Sequence, residues 1–575
     1  MRASSAGAQA TAHAAAFPLG TTSASAIRSL LQRRFNVTYD EGNAMSSRCR
    51  RIATPFTIAA LSASLMLALS PAFAAPPQIV ITETQAFDAS SVPAYTGDYA
   101  DVYAQLDKQR EADVAQLQRW VRQPSISAQN KGIAQMAELL RDDLSKLGFR
   151  DTALVPTSGH PGVYGYYDAG AAHTLVVYMM YDVQPIEPTG WKVDAFAGSL
   201  VDEPKLGKVL MARGATNQKG PQRAFLNALD AVIKTRGKPP VNLIVLAEGE
   251  EELGSPHYPE AVAKYQEQLR KADGVFFPMN TQNRDGQASM FLGVKGILYM
   301  ELEAKGNPAT GGPQRSEVHG SLAAKLDSPS WRLVQALATL TTPDGEIAVP
   351  GYRDAIRAPN AEEQRLFNGI VRGAEGEQAK QLEGLGAARW KNGRNVRDAA
   401  AAELFDTTLN IDGLVAGYTG EGVKTILPHR AVAKVDSRLV PNQTPDQALA
   451  LIRKQLDAKG FQDIEIRKLS GYPPAQTSVD APLTRAALGV YRKYGQTPPV
   501  APRIGGSAPY YVFTQTLGLP MIAGGLGHGN GAHAPNEYMV IEPEAGSKIA
   551  GLVQVERFYV DLLYSLSDAL KQSGK

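Results

Sequence analysis

The chain predicts an α/β fold with a second, α+β domain inserted into it, and three observations lead there. Short β-branched or apolar runs at Leu175 to Met179 and Val241 to Leu246 flank a helical pattern from Gln222 to Thr235. Strand, helix, strand in that order implies a sheet covered by helices on both faces. A separate block from about Lys295 to Ser470 has its own strand patterns, Leu298 to Ala304 and Ala431 to Leu439, and its own helical patterns, Ser328 to Leu340 and Pro445 to Lys459. Helix and strand patterns then resume from Ala481, as expected when one domain interrupts another.

The N-terminus reads as a processing segment. From Met45 the chain runs SSRCRR, then an apolar stretch from Ile52 to Leu69, then Pro71-Ala-Phe-Ala74. A positive start, an apolar middle and a small-residue site predict a signal peptide over 45–74, with the mature chain beginning at Ala75. Residues 1–44, rich in Ala and Ser without apolar periodicity, read as a misassigned start or a disordered leader. The expected location is the periplasm or beyond, with no stable membrane association after cleavage. The single cysteine, Cys49, precedes the apolar stretch, so the mature chain has no thiol nucleophile and no cysteine zinc site.

Length and charge narrow the functions. A chain of 575 residues suggests more than one domain, and 44% hydrophobic with 20% charged residues is an ordinary globular composition. Its 59 basic and 57 acidic residues are spread along the chain for a net charge of +2. That leaves no electrostatic footprint for nucleic acid or an anionic membrane.

Along the mature chain, Val114, Leu117, Trp120 and Val121, then Met136, Leu139, Leu140 and Leu144, have helical spacing and predict two opening helices. Two polar, Gly-containing loops follow strand-like runs: ARGATNQKG at Ala212 to Gly220 and EGEEELGSP at Glu248 to Pro256. Ligand sites of open α/β sheets form at the carboxyl ends of strands, so position alone makes these loops candidates. Glu248, Glu250, Glu251 and Glu252 fall within five residues, and like charges so close repel unless a cation or a proton offsets them. A solvated acidic loop remains the alternative.

Six phrases, MYDVQP, RGATNQKG, EGEEELGSP, RSEVHG at Arg315 to Gly320, RIGGSAP at Arg503 to Pro509 and AHAPNEYM at Ala532 to Met539, occur in the order and spacing of the M20 metallopeptidases. The chain resembles the dipeptidase branch of that family, which includes carnosine-type dipeptidases. The resemblance implies a mixed-sheet, zinc-exopeptidase-like catalytic domain over 75–294 and 471–575, with an inserted lid domain over 295–470 that mediates a homodimer. It also implies two zinc ions bridged by a carboxylate. On this chain the first metal's histidine position is Met180, the bridge is Asn217, and the remaining aspartate falls at Met279, or at Asn280 with one residue of slippage.

The second metal's own positions are Glu252 and His533, with Asn217 as a weak third donor, and Glu251 matches the general base. Thioether sulfurs and a neutral amide are poor substitutes for imidazole and carboxylate on Zn²⁺. The expectation is therefore one divalent ion, zinc first, or none. Met180 and Met279 also read as ordinary core methionines. Asp182, on the same strand face as Met180, matches a residue that supports the missing histidine, whereas His528 and His257 read as structural.

The resemblance assigns substrate contacts to Thr425, Arg438, Gly506 and Ser507, and oxyanion stabilisation to His319, reaching across a dimer. Arg438 suits a terminal carboxylate. Ile504, Ala508 and Lys295 depart from the family pattern and leave the substrate open, as a small peptide or an N-acyl amino acid. The implied functions are an exported dipeptidase-like amide hydrolase with a degenerate metal centre, a non-catalytic binder on the same fold, or another reaction on an acyl or amide substrate.

Overall fold

A computed structural model describes residues 79 to 572, apart from 373. The leader expected over 1–44, the signal segment over 45–74 and the start at Ala75 lie outside the described residues. Within them, a six-stranded sheet runs in the order Arg150–Val155, Gly162–Tyr167, Asn242–Glu248, Thr174–Met180, Gly274–Pro278, Met521–Gly524. The last four strands are parallel, and the first two join them as an antiparallel hairpin. Met521–Gly524 returns from beyond the inserted block, so two distant stretches of chain complete one sheet.

Side-chain alternation sends Leu175, Val177, Met179 and Tyr181 into one apolar core and Val176, Tyr178 and Met180 into the other. The first core is closed by helices Ala100–Arg122, Lys219–Arg236, Pro482–Lys493 and Leu552–Gln572. The second is closed by Tyr258, Tyr510 and Phe513. Both faces are covered, which is why these strands are continuously apolar.

A second, four-stranded antiparallel sheet, in the order Gly529–Asn530, Tyr538–Pro543, Gly207–Met211, Ser199–Glu203, was not evident from periodicity. Tyr538 pairs with Met211 and the Ala212 amide donates to the Glu537 carbonyl at 3.0 Å. Two motifs more than three hundred residues apart therefore leave the sheet side by side.

The inserted block builds a third sheet in the order Asn410–Ala416, Arg430–Leu439, Gly293–Lys305, Glu465–Tyr472. Helices Pro329–Ala338 and Pro445–Ala458 contribute Leu333, Leu337, Ile452 and Leu456 to its core. Gly293–Lys305 also pairs, near its start, with Ala475–Gln476 and Ile504–Ser507. The boundaries expected at 295 and 470 thus fall inside strands rather than linkers. Between Pro329–Ala338 and the edge strand lie helices Ala361–Val371, Gln378–Gly384 and Val396–Phe405, and the first and last of these form a small core of Phe367, Val371, Leu404 and Phe405 that Ile79 and Ile81 join. Among the described residues no helix is long and apolar enough to cross a membrane.

Candidate functional site

Strands Thr174–Met180 and Asn242–Glu248 run parallel with Met180 beside Glu248, so the loops after them start together. Asp182, fully buried, binds the second loop to the first. It accepts the Glu251 amide at 3.2 Å, the Glu252 amide at 3.0 Å and the Ser127 hydroxyl at 2.8 Å. Burial, then the Glu252 charge, pushes Asp182 up to about 7.

Glu252 is the hub. Asn217 Nδ2 donates to its Oε1 at 2.7 Å and Gln218 Nε2 approaches the same oxygen at 3.4 Å. Gln184 Nε2 donates to Oε2 at 2.8 Å, and His533 Nε2 stands 3.1 Å from that oxygen. The hydrogen bond to Glu252 raises the His533 pKa. A carboxylate offers about four lone-pair directions, and four nitrogen groups from three separate loops meet this one.

The turn that carries Asn217 is held from below by Glu537, which is fully buried. Its carboxylate accepts the amides of Gly214 at 2.8 Å, Thr216 at 3.0 Å and Asn217 at 2.9 Å, and pairs with Arg213 at 3.1 Å. The neighbouring motif at Glu537 therefore shapes the Asn217 turn directly.

The acidic run divides by partner. Glu248 accepts the Tyr178 hydroxyl at 2.6 Å and the Ser255 hydroxyl at 3.0 Å, while Glu250 takes His257 at 2.7 Å and the His160 amide at 3.1 Å. The Glu251 carboxylate accepts no hydrogen bond among the described residues, and burial followed by the charges of Glu252, Asp182 and Glu248 holds it well above the usual range. His528 is tied to the Gln282 carbonyl at 2.8 Å and the Tyr538 hydroxyl at 3.1 Å, so both His528 and His257 have structural partners.

Met180 is buried with Tyr178, Phe277 and Tyr510, and Met279 packs against the same cluster. Asn280 turns towards the Asn217 loop instead, donating to Thr216 Oγ1 at 2.9 Å. No group of three or more His, Cys, Asp and Glu residues that could hold a metal ion occurs among the described residues.

A second group lies on the inserted sheet and the strand beside it. Arg438 donates to Asp436 at 2.7 Å and to Ser507 Oγ at 3.0 Å, and Ser507 donates to the Gly296 carbonyl at 3.1 Å. Gly506 precedes Ser507 in strand Ile504–Ser507. Lys295, beneath them, is buried and lowered to about 8 by loss of hydration, its ammonium donating to the Asp406 carbonyl at 2.6 Å. A third group is exposed: His319 Nε2 stands 3.2 Å from Thr425 Oγ1 and its Nδ1 2.8 Å from Ser321 Oγ.

The profile described as "Peptidase family M20/M25/M40" matches residues 177–554. The chain belongs to the M20 peptidase family. It is 28% identical over 462 residues to the Cys-Gly metallodipeptidase DUG1 of Candida albicans, covering 74% of this chain and 90% of that one. It is 25% identical to the Beta-Ala-His dipeptidase of Rattus norvegicus, covering 68% and 80%. Among solved structures, an M20 family metallo-carboxypeptidase, Sso-CP2 of Sulfolobus solfataricus, aligns with a TM-score of 0.68 at 32% identity, covering 80% of this chain and 98% of that one.

Within this M20 chain the fold brings together Asp182, Asn217, Glu252 and His533, and separately Arg438 with Ser507. It does not bring His319 or Thr425 to either group through any hydrogen bond among the described residues. Three residues of the first group were missed in sequence reading: Gln184, Gln218 and Glu537. All three sit inside quoted motifs, and the signal was their polarity in segments that the fold buries.

Proposed function

We propose that this chain is an exported M20-type hydrolase of small peptides or N-acyl amino acids that works without a paired metal centre. The observation that carries this reading is the contrast between Glu251, a half-buried carboxylate with no hydrogen bond, and Glu252, whose oxygens are taken up by amide and imidazole nitrogens. Zinc needs anionic or imidazole donors, and the corresponding positions hold two thioethers, at Met180 and Met279, and an amide, at Asn217. These residues do not fit a zinc pair. A single ion on Glu252 and His533 would have to displace the contacts from Gln184, Gln218 and Asn217, so the metal-independent form is preferred.

In this reading the ionised Glu251 carboxylate, made more basic by burial and its anionic neighbours, takes a proton from water as the oxygen attacks the substrate carbonyl carbon. The C–N bond then breaks and the proton passes to the leaving amine. Arg438 and Ser507 hold a terminal carboxylate of the substrate. His319 of a second copy stabilises the oxyanion, the dimer forming along the open edge of Asn410–Ala416, where Ile411, Leu414 and Val415 are exposed. The names of the relatives point to dipeptides as the first substrates to try. Export rests on the charge, apolar and small-residue pattern over 45–74.

A dipeptide and N-acyl amino acid screen, run with and without chelator beside elemental analysis, tests the proposal. Turnover that persists in chelator and drops at least about a hundredfold in Glu251→Gln, the scale of general-base catalysis, supports it. Turnover that vanishes with chelator and returns with two zinc ions bound per chain overturns it, and return with one overturns the metal-independent form. The saturated Glu252 also favours a second reading, a binder without turnover, in which calorimetry detects a peptide that survives prolonged incubation.

A further inference from the structure

Arg438 and Glu251 sit on different elements, and one side chain stands between them. On the inserted sheet, Arg438 and Tyr472 both pair with Ile297 of strand Gly293–Lys305, one from each side. Directly opposed residues of antiparallel strands point to the same face, so Arg438, Ile297 and Tyr472 form one row across the sheet. Leu298, Met300 and Leu302 fill the core on the opposite face. Adjacent strands lie about 4.8 Å apart, so roughly 10 Å separates the backbones of Arg438 and Tyr472.

The strand that carries Tyr472 is also pinned to the turn that carries Glu251. Ser470, two residues earlier, donates from Oγ to the Gly254 carbonyl at 3.1 Å, and the Gly254 amide donates to the Glu251 carbonyl at 2.8 Å. Gly254 has a φ of +84°, and a Cβ there would lie 2.7 Å from Ser470 Oγ, so a glycine permits this approach. The Tyr472 ring is held by stacking on Tyr511, with centroids 5.9 Å apart and planes 11° apart. Tyr472 is only 6% exposed, yet its hydroxyl makes no hydrogen bond among the described residues and is not sealed from solvent. Burial, then the charges of Glu251 and Glu248, raise the phenol above its ordinary value, and the Arg438 charge opposes them. Tyr472 therefore feels both groups and keeps its proton at neutral pH.

The terminal carboxylate and the scissile carbonyl of a dipeptide are one residue apart, at most about 3.6 Å. A donor for that carbonyl must stand beside the carboxylate clamp and also face the attacking water, and Tyr472 meets both conditions. We propose that Tyr472 is a catalytic residue whose hydroxyl donates to the scissile carbonyl oxygen, between the carboxylate held by Arg438 and Ser507 and the water activated by Glu251. This rests on the hydrolase reading above. As the water oxygen bonds to carbon and Glu251 takes the water proton, the carbonyl π pair moves onto oxygen, and the Tyr472 O–H holds that charge without giving up its proton. The pair then re-forms the carbonyl, the C–N bond breaks, and the amine takes the proton from Glu251. The donor comes from the same chain as Glu251, unlike His319 of a second copy.

Two probes of equal length test the contact in the full chain with chelator present. In the phosphinic analogue of Ala-Ala a tetrahedral, anionic P(O)(O⁻)–CH₂ unit replaces the peptide C(O)–NH; in the reduced analogue CH₂–NH replaces it and no oxygen remains. Calorimetry should show Tyr472→Phe binding the phosphinate at least about tenfold more weakly than wild type, about 1.4 kcal/mol, and the reduced analogue less than about twofold more weakly. Tyr472→Phe keeps the ring on Tyr511, so an unchanged thermal midpoint is the control. For a dipeptide that the wild type hydrolyses, kcat should fall about 10²–10³-fold, the scale of one lost oxyanion donor, with KM changed less than about threefold. Unaltered phosphinate affinity, equal weakening of both probes, or an unchanged kcat overturns the proposal. A wild type without turnover, or a Glu251→Gln chain as active as wild type, removes the proposed activity instead, and the probe pair then decides the Tyr472 contact alone.

Discussion

An Asn and an Asp of the same shape have opposite effects beside Glu252. The Asn217 amide donates to this carboxylate at 2.7 Å, whereas an aspartate there would set two anions at that separation with no cation between them. Asn217→Asp is expected to lower stability by roughly 1–3 kcal/mol, the scale of a lost partner at a buried polar group, measured by denaturant unfolding. Added zinc should recover part of that loss only in the variant, because the wild-type hub has no unfilled acceptor. Glu537→Ala leaves three amides without their acceptor and removes the buried partner of Arg213, which keeps Glu187 at 3.2 Å, and is expected to cost about 3–5 kcal/mol, as for breaking a buried ion pair. Sequence reading placed Asn217, Glu252 and His533 as candidates from motif order, but Glu537 looked like an ordinary polar loop residue. Its importance comes from burial, which a linear sequence does not display.

At the level of elements, long periodic stretches were legible. The helix patterns near Val114 and Met136 became Ala100–Arg122 and Ile133–Lys146, and the Leu298 to Ala304 pattern lies within Gly293–Lys305. Short helices of the inserted block were not legible. Ala361–Val371 is started by a capping box between Asn360 and Glu363, and its apolar face acquires meaning only from Val396–Phe405 and the N-terminal stretch that meet it. Phe367, fully buried in that small core, gives the prediction: Phe367→Ala should cost about 3–5 kcal/mol, read by chemical denaturation. Among the described residues the edge strand Asn410–Ala416 pairs only with Arg430–Leu439 and leaves unpaired backbone groups and exposed Leu414 and Val415 available for pairing. A Leu414→Lys, Val415→Lys chain is expected to elute as a folded monomer where the wild type elutes as a dimer. Equal elution volumes would remove the edge from the proposed interface.

For the molecule as a whole, pH links stability to acids buried between helices. Asp113 and Glu556 are buried among Ala100–Arg122, Lys219–Arg236 and Leu552–Gln572, with Gln109 donating to Asp113 at 3.2 Å and Asn227 to Glu556 at 2.9 Å. Burial pushes Asp113 up to about 6 and raises Glu556 well above its ordinary value. The folded chain then binds more protons than the unfolded chain between about pH 4, the ordinary carboxyl value, and pH 6. The stability that Asp113 contributes is complete below about pH 4 and declines as pH rises through 6. Asp113→Asn should therefore raise the thermal midpoint at pH 7 by a few degrees, with the advantage over wild type shrinking towards pH 4.

By itself the sequence determined the α/β class, the insertion and the M20 family, because hydrophobic periodicity and motif order are properties of the linear chain. Only the tertiary structure decided which nitrogens meet Glu252 and that the Glu251 carboxylate stays without a hydrogen bond among the described residues. Those outcomes depend on which loops a sheet edge sets side by side, and contacts across hundreds of residues have no local signature.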